Sequence, residues 1–197
     1  YDQMLDDYEP GMTQEKYDVF FAALKERLVP LIQKVTKAKQ KNEAFLHQEF
    51  PIEDQKKFMT QLLEYLHFDS SWGYQNESEH PFTSWTCEND CRTTTKYVKN
   101  DVISAVLSTV HEVGHAYYEH DVDPKYDGMI LSEGISSGMH ESQSRLCENY
   151  LARTTAFWQY HYPKLQETFP TQLGNVSFDE FYEAINVAKP SFVRTEA

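Results

Sequence analysis

Asp101-Val102-Ile103-Ser104-Ala105-Val106-Leu107-Ser108-Thr109-Val110-His111-Glu112-Val113-Gly114-His115 decides how this chain is read. Asp101 is a natural N-cap, because its carboxylate can accept from the free amides of a first helical turn. Val102, Ile103, Ala105, Val106, Leu107 and Val110 then follow at spacings that give one apolar stripe. No proline interrupts before Pro124, so a helix of about five turns is expected from near Asp101 to near His120. Residues four apart share a helical face, so His111 and His115 can reach the same cation. Glu112 is rotated away by one residue and can work on a water beside that cation without ligating it. This is the arrangement of zinc-dependent peptide hydrolysis. Gly114 weakens the helix and suggests that another backbone approaches there. The plain alternative is a helix carrying two ordinary histidines.

Catalytic zinc takes three protein ligands and keeps one position open. A third histidine six residues past His115 would be one solution, but that position is Asp121, and the glycine such a site needs at 118 is Tyr118. The metzincin pattern is therefore broken. The other solution is a glutamate on a following helix. Glu133 in Ser132-Glu133-Gly134-Ile135-Ser136 and Glu141 in His140-Glu141-Ser142-Gln143-Ser144 both qualify. The stretch from Asp121 to Gly128, with Pro124 and Asp127, is a turn-rich connection that lets either segment return antiparallel to the first helix. Spacing leaves both open.

Four segments, in order and approximate spacing, resemble the carboxypeptidase Taq family of thermostable metallocarboxypeptidases: His80-Pro81-Phe82, Asp90-Cys91-Arg92-Thr93-Thr94, His111 to His115, and His140-Glu141-Ser142-Gln143. The closing Pro190-Ser191-Phe192-Val193-Arg194-Thr195-Glu196-Ala197 is similar to the start of a further family motif, and Tyr1-Asp2 to Asp7-Tyr8-Glu9-Pro10-Gly11 to a segment upstream of the zinc site. The resemblance implies a mainly α, helical zincin-like metallopeptidase core with one small antiparallel β element. It also implies a Zn2+ or Co2+ ion and release of single residues from peptide C-termini. By the resemblance His111, His115 and Glu141 are the metal ligands and Glu112 is the general base. Family members are much longer, and their downstream Gly-x-x-Gln-Asp-x-His-Trp motif is missing here. The 197 residues are thus expected to form a single domain that is an internal portion of a larger catalytic domain, with turnover by this portion alone in doubt.

Two further residues are candidates for contact with substrate. An exopeptidase needs a cation for the terminal carboxylate, and a guanidinium grips one with two hydrogen bonds. Arg92, on the expected hairpin, is the candidate, with an ion pair to Asp90 as its structural alternative. His140 is a candidate donor to the developing oxyanion, with burial against the neighbouring helix as the alternative. Arg145, four residues past Glu141, is expected to fix that ligand or another carboxylate behind the ligands. His80 is read as structural, and Tyr117 and Tyr118 as packing residues.

Composition narrows the classes. With 31 acidic against 18 basic residues, the net charge of −13 argues against a nucleic-acid partner. The run Lys34, Lys37, Lys39, Lys41 is expected to be a solvated helix face rather than a binding patch. Three cysteines, Cys87, Cys91 and Cys147, do not form a disulfide framework, which points to a reducing, cytoplasmic setting. No apolar run reaches the roughly twenty residues of a membrane span, so no membrane partner is expected. The expected partners are peptide or protein C-termini, with a homodimer of the longer parent left open.

Elsewhere, Thr13 is expected to cap a helix burying Tyr17, Phe20, Phe21, Leu24 and Leu28, and Pro30 either to kink it or to begin a second helix running toward Leu46. Pro51 introduces a helix with Phe58, Leu62, Leu63 and Leu66 as its apolar face. Residues 68 to 80 read as loop, and 82 to 97 as a hairpin. Ser177 with Glu180 is a capping-box signature for a last helix ending before Pro190. Two rival functions fit some of these residues. A di-iron carboxylate bundle would use Glu64-Tyr65-Leu66-His67 with Glu112-Val113-Gly114-His115, but leaves His111 idle. A metal-stabilised, non-catalytic helical module would want a closed, cysteine-rich site, and no cysteine lies near the zinc helix in sequence.

Overall fold

The apolar stripe beginning at Val102 folds as expected. In the computed structural model, which describes residues 1–39, 41–87 and 89–188, it forms the helix Val102–His120. The Asp101 carboxylate accepts from the Ser104 amide at 3.0 Å. Val102, Ala105, Val106, Val110, Val113 and Ala116 are all essentially inaccessible, so this helix is the spine of the core.

In chain order the helices are α1 (Asp2–Asp6), α2 (Gln14–Thr36), α3 (Ile52–Tyr65), α4 (Val102–His120), α5 (Ser137–Arg145), α6 (Thr155–Thr168), α7 (Pro170–Leu173) and α8 (Phe178–Ile185). A π-helical stretch, Leu146–Leu151, continues α5. The strands are β1 (Gly73–Glu77), β2 (Thr83–Cys87) and β3 (Asp90–Thr95), in the order β1-β3-β2. β2 and β3 make the expected antiparallel hairpin, with a register shift between Trp85 and Cys87. β1, expected as loop, pairs parallel with β3 through Gly73↔Cys91 to Glu77↔Thr95. Its Gly-Tyr-Gln-Asn-Glu sequence lacks apolar alternation, so the free edge of β3 recruits it rather than its own propensity. A Cβ on Gly73 would meet the Phe68 ring at 2.4 Å.

β3 lies on α4, with Thr93 and Thr95 buried and Thr95 Oγ1 donating to the Ala105 carbonyl at 3.3 Å. On the other side, Phe58, Met59 and Leu62 of α3 share the core with Phe157, Trp158 and Leu165 of α6. Tyr162 of α6 stacks on Phe181 of α8 at 4.0 Å between ring centroids. Each such side chain contributes about 1.5–3 kcal/mol on burial, so α4 is fixed from several sides. The capping box at α8 is formed as read.

α2 departs from expectation in its burial. Thr13 caps it as read, its hydroxyl accepting from the Lys16 amide at 3.3 Å, and Pro30 sits inside one continuous helix. Its apolar residues Phe20, Phe21, Leu24 and Leu28 are nonetheless exposed. No other described element covers that face. The three cysteines are free thiols, and among the described residues no helix is long and apolar enough to cross a membrane. Residues 190–197, which carry the last of the family-like segments, lie outside the described residues.

Candidate metal centre

α4 and α5 are brought together by Gly114. A Cβ there would lie 2.8 Å from the Ser144 backbone and 3.1 Å from Cys147 Cβ, so only glycine permits this approach. Contacts then run in opposite senses along the two elements: His115 meets His140, Gly114 meets Ser144, and His111 meets Glu148. The expected antiparallel return is what forms. Ser136 caps α5, its hydroxyl accepting from the Met139 amide at 3.1 Å. The N-terminal segment pins that end, Ser137 N donating to the Tyr8 carbonyl at 2.9 Å.

This register brings His111, His115 and Glu141 together, with one donor atom from each lying within 4.8 Å of the others. Nε2 of His111 is 3.5 Å from Glu141 Oε2, and Nε2 of His115 is 3.8 Å from Glu141 Oε1. These separations are too long for good hydrogen bonds. Donors held about 2 Å from a common ion would sit roughly 3.3 Å apart, so the three atoms form a slightly open cage for a divalent cation. The donor set, two imidazoles and a carboxylate, is that of a catalytic zinc site with one open position. Burial, reinforced by the neighbouring His111 and His140, lowers the His115 pKa to about 4, which keeps its lone pair free at neutral pH. Glu133, the other glutamate considered, lines the same cavity but is outside this group. Glu64 and His67 of the di-iron reading do not join it either.

Both imidazoles are held from behind, by different means. His111 Nδ1–H donates to Glu148 Oε2 at 2.8 Å. His115 Nδ1 is 2.7 Å from His140 Nδ1, and His140 Nε2 is 2.5 Å from Glu119 Oε1. If His115 offers Nε2 to a cation, its Nδ1–H must donate to His140, whose Nε2–H then donates to Glu119. Both ring nitrogens of His140 are thereby engaged, leaving neither for a reacting carbonyl oxygen. Glu119, one turn beyond His115, and Glu148, seven residues beyond Glu141, were not singled out in the sequence. That helical spacing was the available signal.

Glu112 is 3% exposed. The Thr83 hydroxyl on β2 lies 2.7 Å from Glu112 Oε2 and 2.9 Å from the Glu112 carbonyl. The sequence alone does not mark Thr83, next to His80-Pro81-Phe82, for this part. His80 is exposed, and its carbonyl accepts from the Ser78 hydroxyl at 2.6 Å, in keeping with a structural part. Tyr117 packs against the core and Tyr118 against the His140 ring.

These groups open on a cavity of about 1030 Å³ between β2, α4, α5 and residues 127–137. Six carboxylates line it, from Asp7, Glu112, Glu119, Asp127, Glu133 and Glu141, and no described lysine or arginine does. Arg92 points elsewhere in its contacts: Nε and Nη2 each lie 2.8 Å from an Asp90 oxygen. Of the two readings of Arg92, the ion pair is the one these contacts match, since Asp90 takes its Nε and Nη2 donors and Arg92 does not line the cavity. Arg145 does both things foreseen for it, its Nη1 lying 2.9 Å from Glu148 Oε2 and its Nε 3.7 Å from Glu141 Oε2. Burial would raise the Glu148 pKa, but the hydrogen bond from His111 and the charges of Arg145 and Arg153 outweigh it, and the net shift is downward.

An antiparallel helix pair presenting two histidines and a glutamate around one point, with a buried glutamate alongside, defines a metallopeptidase-type centre. The chain belongs to the Carboxypeptidase Taq (M32) metallopeptidase family, whose profile matches residues 1–197. It is 42% identical to Carboxypeptidase 1 of Bacillus subtilis, covering all of this chain and 40% of that protein. It is 36% identical to Thermostable carboxypeptidase 1 of Thermus thermophilus, covering all of this chain and 39% of the relative. Among solved structures, the M32 carboxypeptidase from Deinococcus radiodurans R1 superposes with a TM-score of 0.93 at 38% identity, over 100% of this chain and 39% of that one. The chain thus spans about 40% of the length of the curated relatives it matches.

Proposed function

We propose that the protein carrying this chain is a metal-dependent carboxypeptidase, and that residues 1–197 form a single domain within its catalytic region. His111, His115 and Glu141 would hold the ion, zinc or cobalt. The observation that carries the proposal is the convergence of these three donors beside the buried carboxylate of Glu112. A divalent cation supplies acidification of water and polarisation of a carbonyl.

The chain's own residues account for the proton traffic. Glu112 accepts a proton from the attacking water at a carboxylate oxygen and returns it to the nitrogen of the departing amino acid. No covalent intermediate is required. Thr83 fixes the orientation of Glu112 by donating to Oε2. His140, assigned from sequence as an oxyanion donor, is better supported as a positioning residue, since its Nδ1 faces His115 and its Nε2 faces Glu119. With Arg92 paired to Asp90, release of C-terminal residues rests on the family relationship rather than on an anchoring cation in the cavity wall.

Three donors rather than four converge among the described residues. An open position supports catalysis over a metal-stabilised, non-catalytic module, whose site would be closed by a fourth protein ligand. Free thiols at Cys87, Cys91 and Cys147 support a cytoplasmic location. In the full-length protein, Glu112→Gln is expected to keep bound metal and reduce hydrolysis of a blocked dipeptide at least a thousandfold, while His115→Ala loses both. Near-parental turnover by Glu112→Gln would overturn the assignment.

A further inference from the structure

Glu141 and Glu148 are seven residues apart along one continuous helical run, α5 and its π-helical extension. The His111 ring lies between their carboxylates. Glu141 faces Nε2 at 3.5 Å and Glu148 faces Nδ1 at 2.8 Å. Glu148 has only 13% of its side chain exposed, against 54% for Glu141. It is also held independently of His111. Arg145 Nη1 donates to its Oε2 at 2.9 Å, and Arg153 Nη2 lies 3.9 Å from its Oε1. Arg153 is itself tied to the end of α8, its Nη1 donating to the Ile185 carbonyl at 3.0 Å. The carboxylate behind His111 is thus fixed to the core before any ligand is considered.

We infer that Glu148 is a positioning residue of the metal centre, holding His111 in the Nδ1–H tautomer and so presenting the Nε2 lone pair to the ion. The inference rests on the metal-site reading above. Its physical basis is that an imidazole ligand needs its second nitrogen committed to an acceptor, which fixes ring angle and tautomer together. Glu148 lies within the π-helical turn, a rare geometry found often at functional sites. The two histidines are then supported unequally: His111 by a carboxylate directly, and His115 by the His140 ring backed by Glu119.

The test is metal affinity, measured on the full-length protein by competition of zinc with a chromogenic chelator, alongside the visible spectrum of the cobalt form. Glu148→Ala is expected to weaken zinc binding by about 10- to 100-fold and to alter the cobalt bands. Glu148→Gln, which keeps an acceptor oxygen but no charge, is expected to fall between Ala and the parent. Unfolding of the metal-free protein in urea separates a role in folding, since a carboxylate that only clamps Arg145 and Arg153 would change apo stability and leave the affinity of the folded protein unchanged. Zinc affinity within twofold of the parent for both variants would overturn the inference while leaving the site intact. His111→Ala serves as the reference: parental affinity in that variant would bring down the metal-site reading itself, and this inference with it.

Discussion

Thr83 and Glu112 show chemistry assembled across 29 residues of chain. A hydroxyl has one proton, so Thr83 divides it between the Glu112 carboxylate and carbonyl, tying the base to the strand that borders the cavity. A hydrogen bond to a charged group contributes about 1.5–3 kcal/mol, equivalent to roughly 10- to 100-fold if it is realised mainly in the transition state. Thr83→Val keeps the shape and removes the donor. Its kcat should drop by about that factor with KM and metal content little changed, and Thr83→Ser should restore most of it. Steady-state kinetics with metal analysis decide this, and a Val variant with parental kcat would show that the hydroxyl does not matter. The ligand pair His111 and His115 was legible because helical periodicity puts residues four apart on one face. Choosing Glu141 over Glu133 needed the family resemblance, because spacing permits both. Thr83, Glu119 and Glu148 were not legible, since each acts through a contact that only the packed α4, α5 and β2 create.

At the level of elements, α4 was readable end to end from its cap and its apolar stripe, and β1 was not, because a neighbour's free edge rather than its own pattern makes it a strand. Gly114 lies between these cases. Its presence in the motif suggested a close approach, and the Ser144 backbone is what approaches. Replacement by alanine gains about 1 kcal/mol of helix propensity. Against that, the new methyl lies 2.8 Å from backbone rather than from a flexible side-chain tip, and overpacking of this kind costs about 1–3 kcal/mol. The steric term wins, because α5 must move and takes Glu141 and Glu148 with it. Gly114→Ala is therefore expected to lower stability in urea by a net of up to about 2 kcal/mol and to weaken zinc binding. An unchanged midpoint together with unchanged affinity would mean that the helices can separate without disturbing the site.

Across the whole molecule, the core couples stability to pH through a histidine that does not line the proposed site. His161 of α6 is 2% exposed, with the Tyr65 and Phe157 rings at 4.5 and 4.3 Å between centroids. Its Nε2 is buried with no hydrogen-bond partner among the described residues. Burial, aided by the charge of Lys164, depresses its pKa to about 4, whereas the unfolded chain titrates near 6.5. Between those values the unfolded state binds the extra proton, so stability rises with pH there. The contribution is complete above about pH 6.5 and is lost progressively as the pH falls toward 4. From pH 7 to pH 5 the expected loss from this one group is roughly 2 kcal/mol. His115 titrates in the same direction, so the parent curve alone cannot isolate His161. The difference between parent and His161→Phe can, because both keep His115. In urea unfolding of the metal-free full-length protein, the variant should lose about 2 kcal/mol less than the parent between pH 7 and pH 5, whatever its stability at pH 7. Parallel curves over that interval would mean that His161 takes up its proton in the folded core as readily as in water, and that the aromatic cage around it opens.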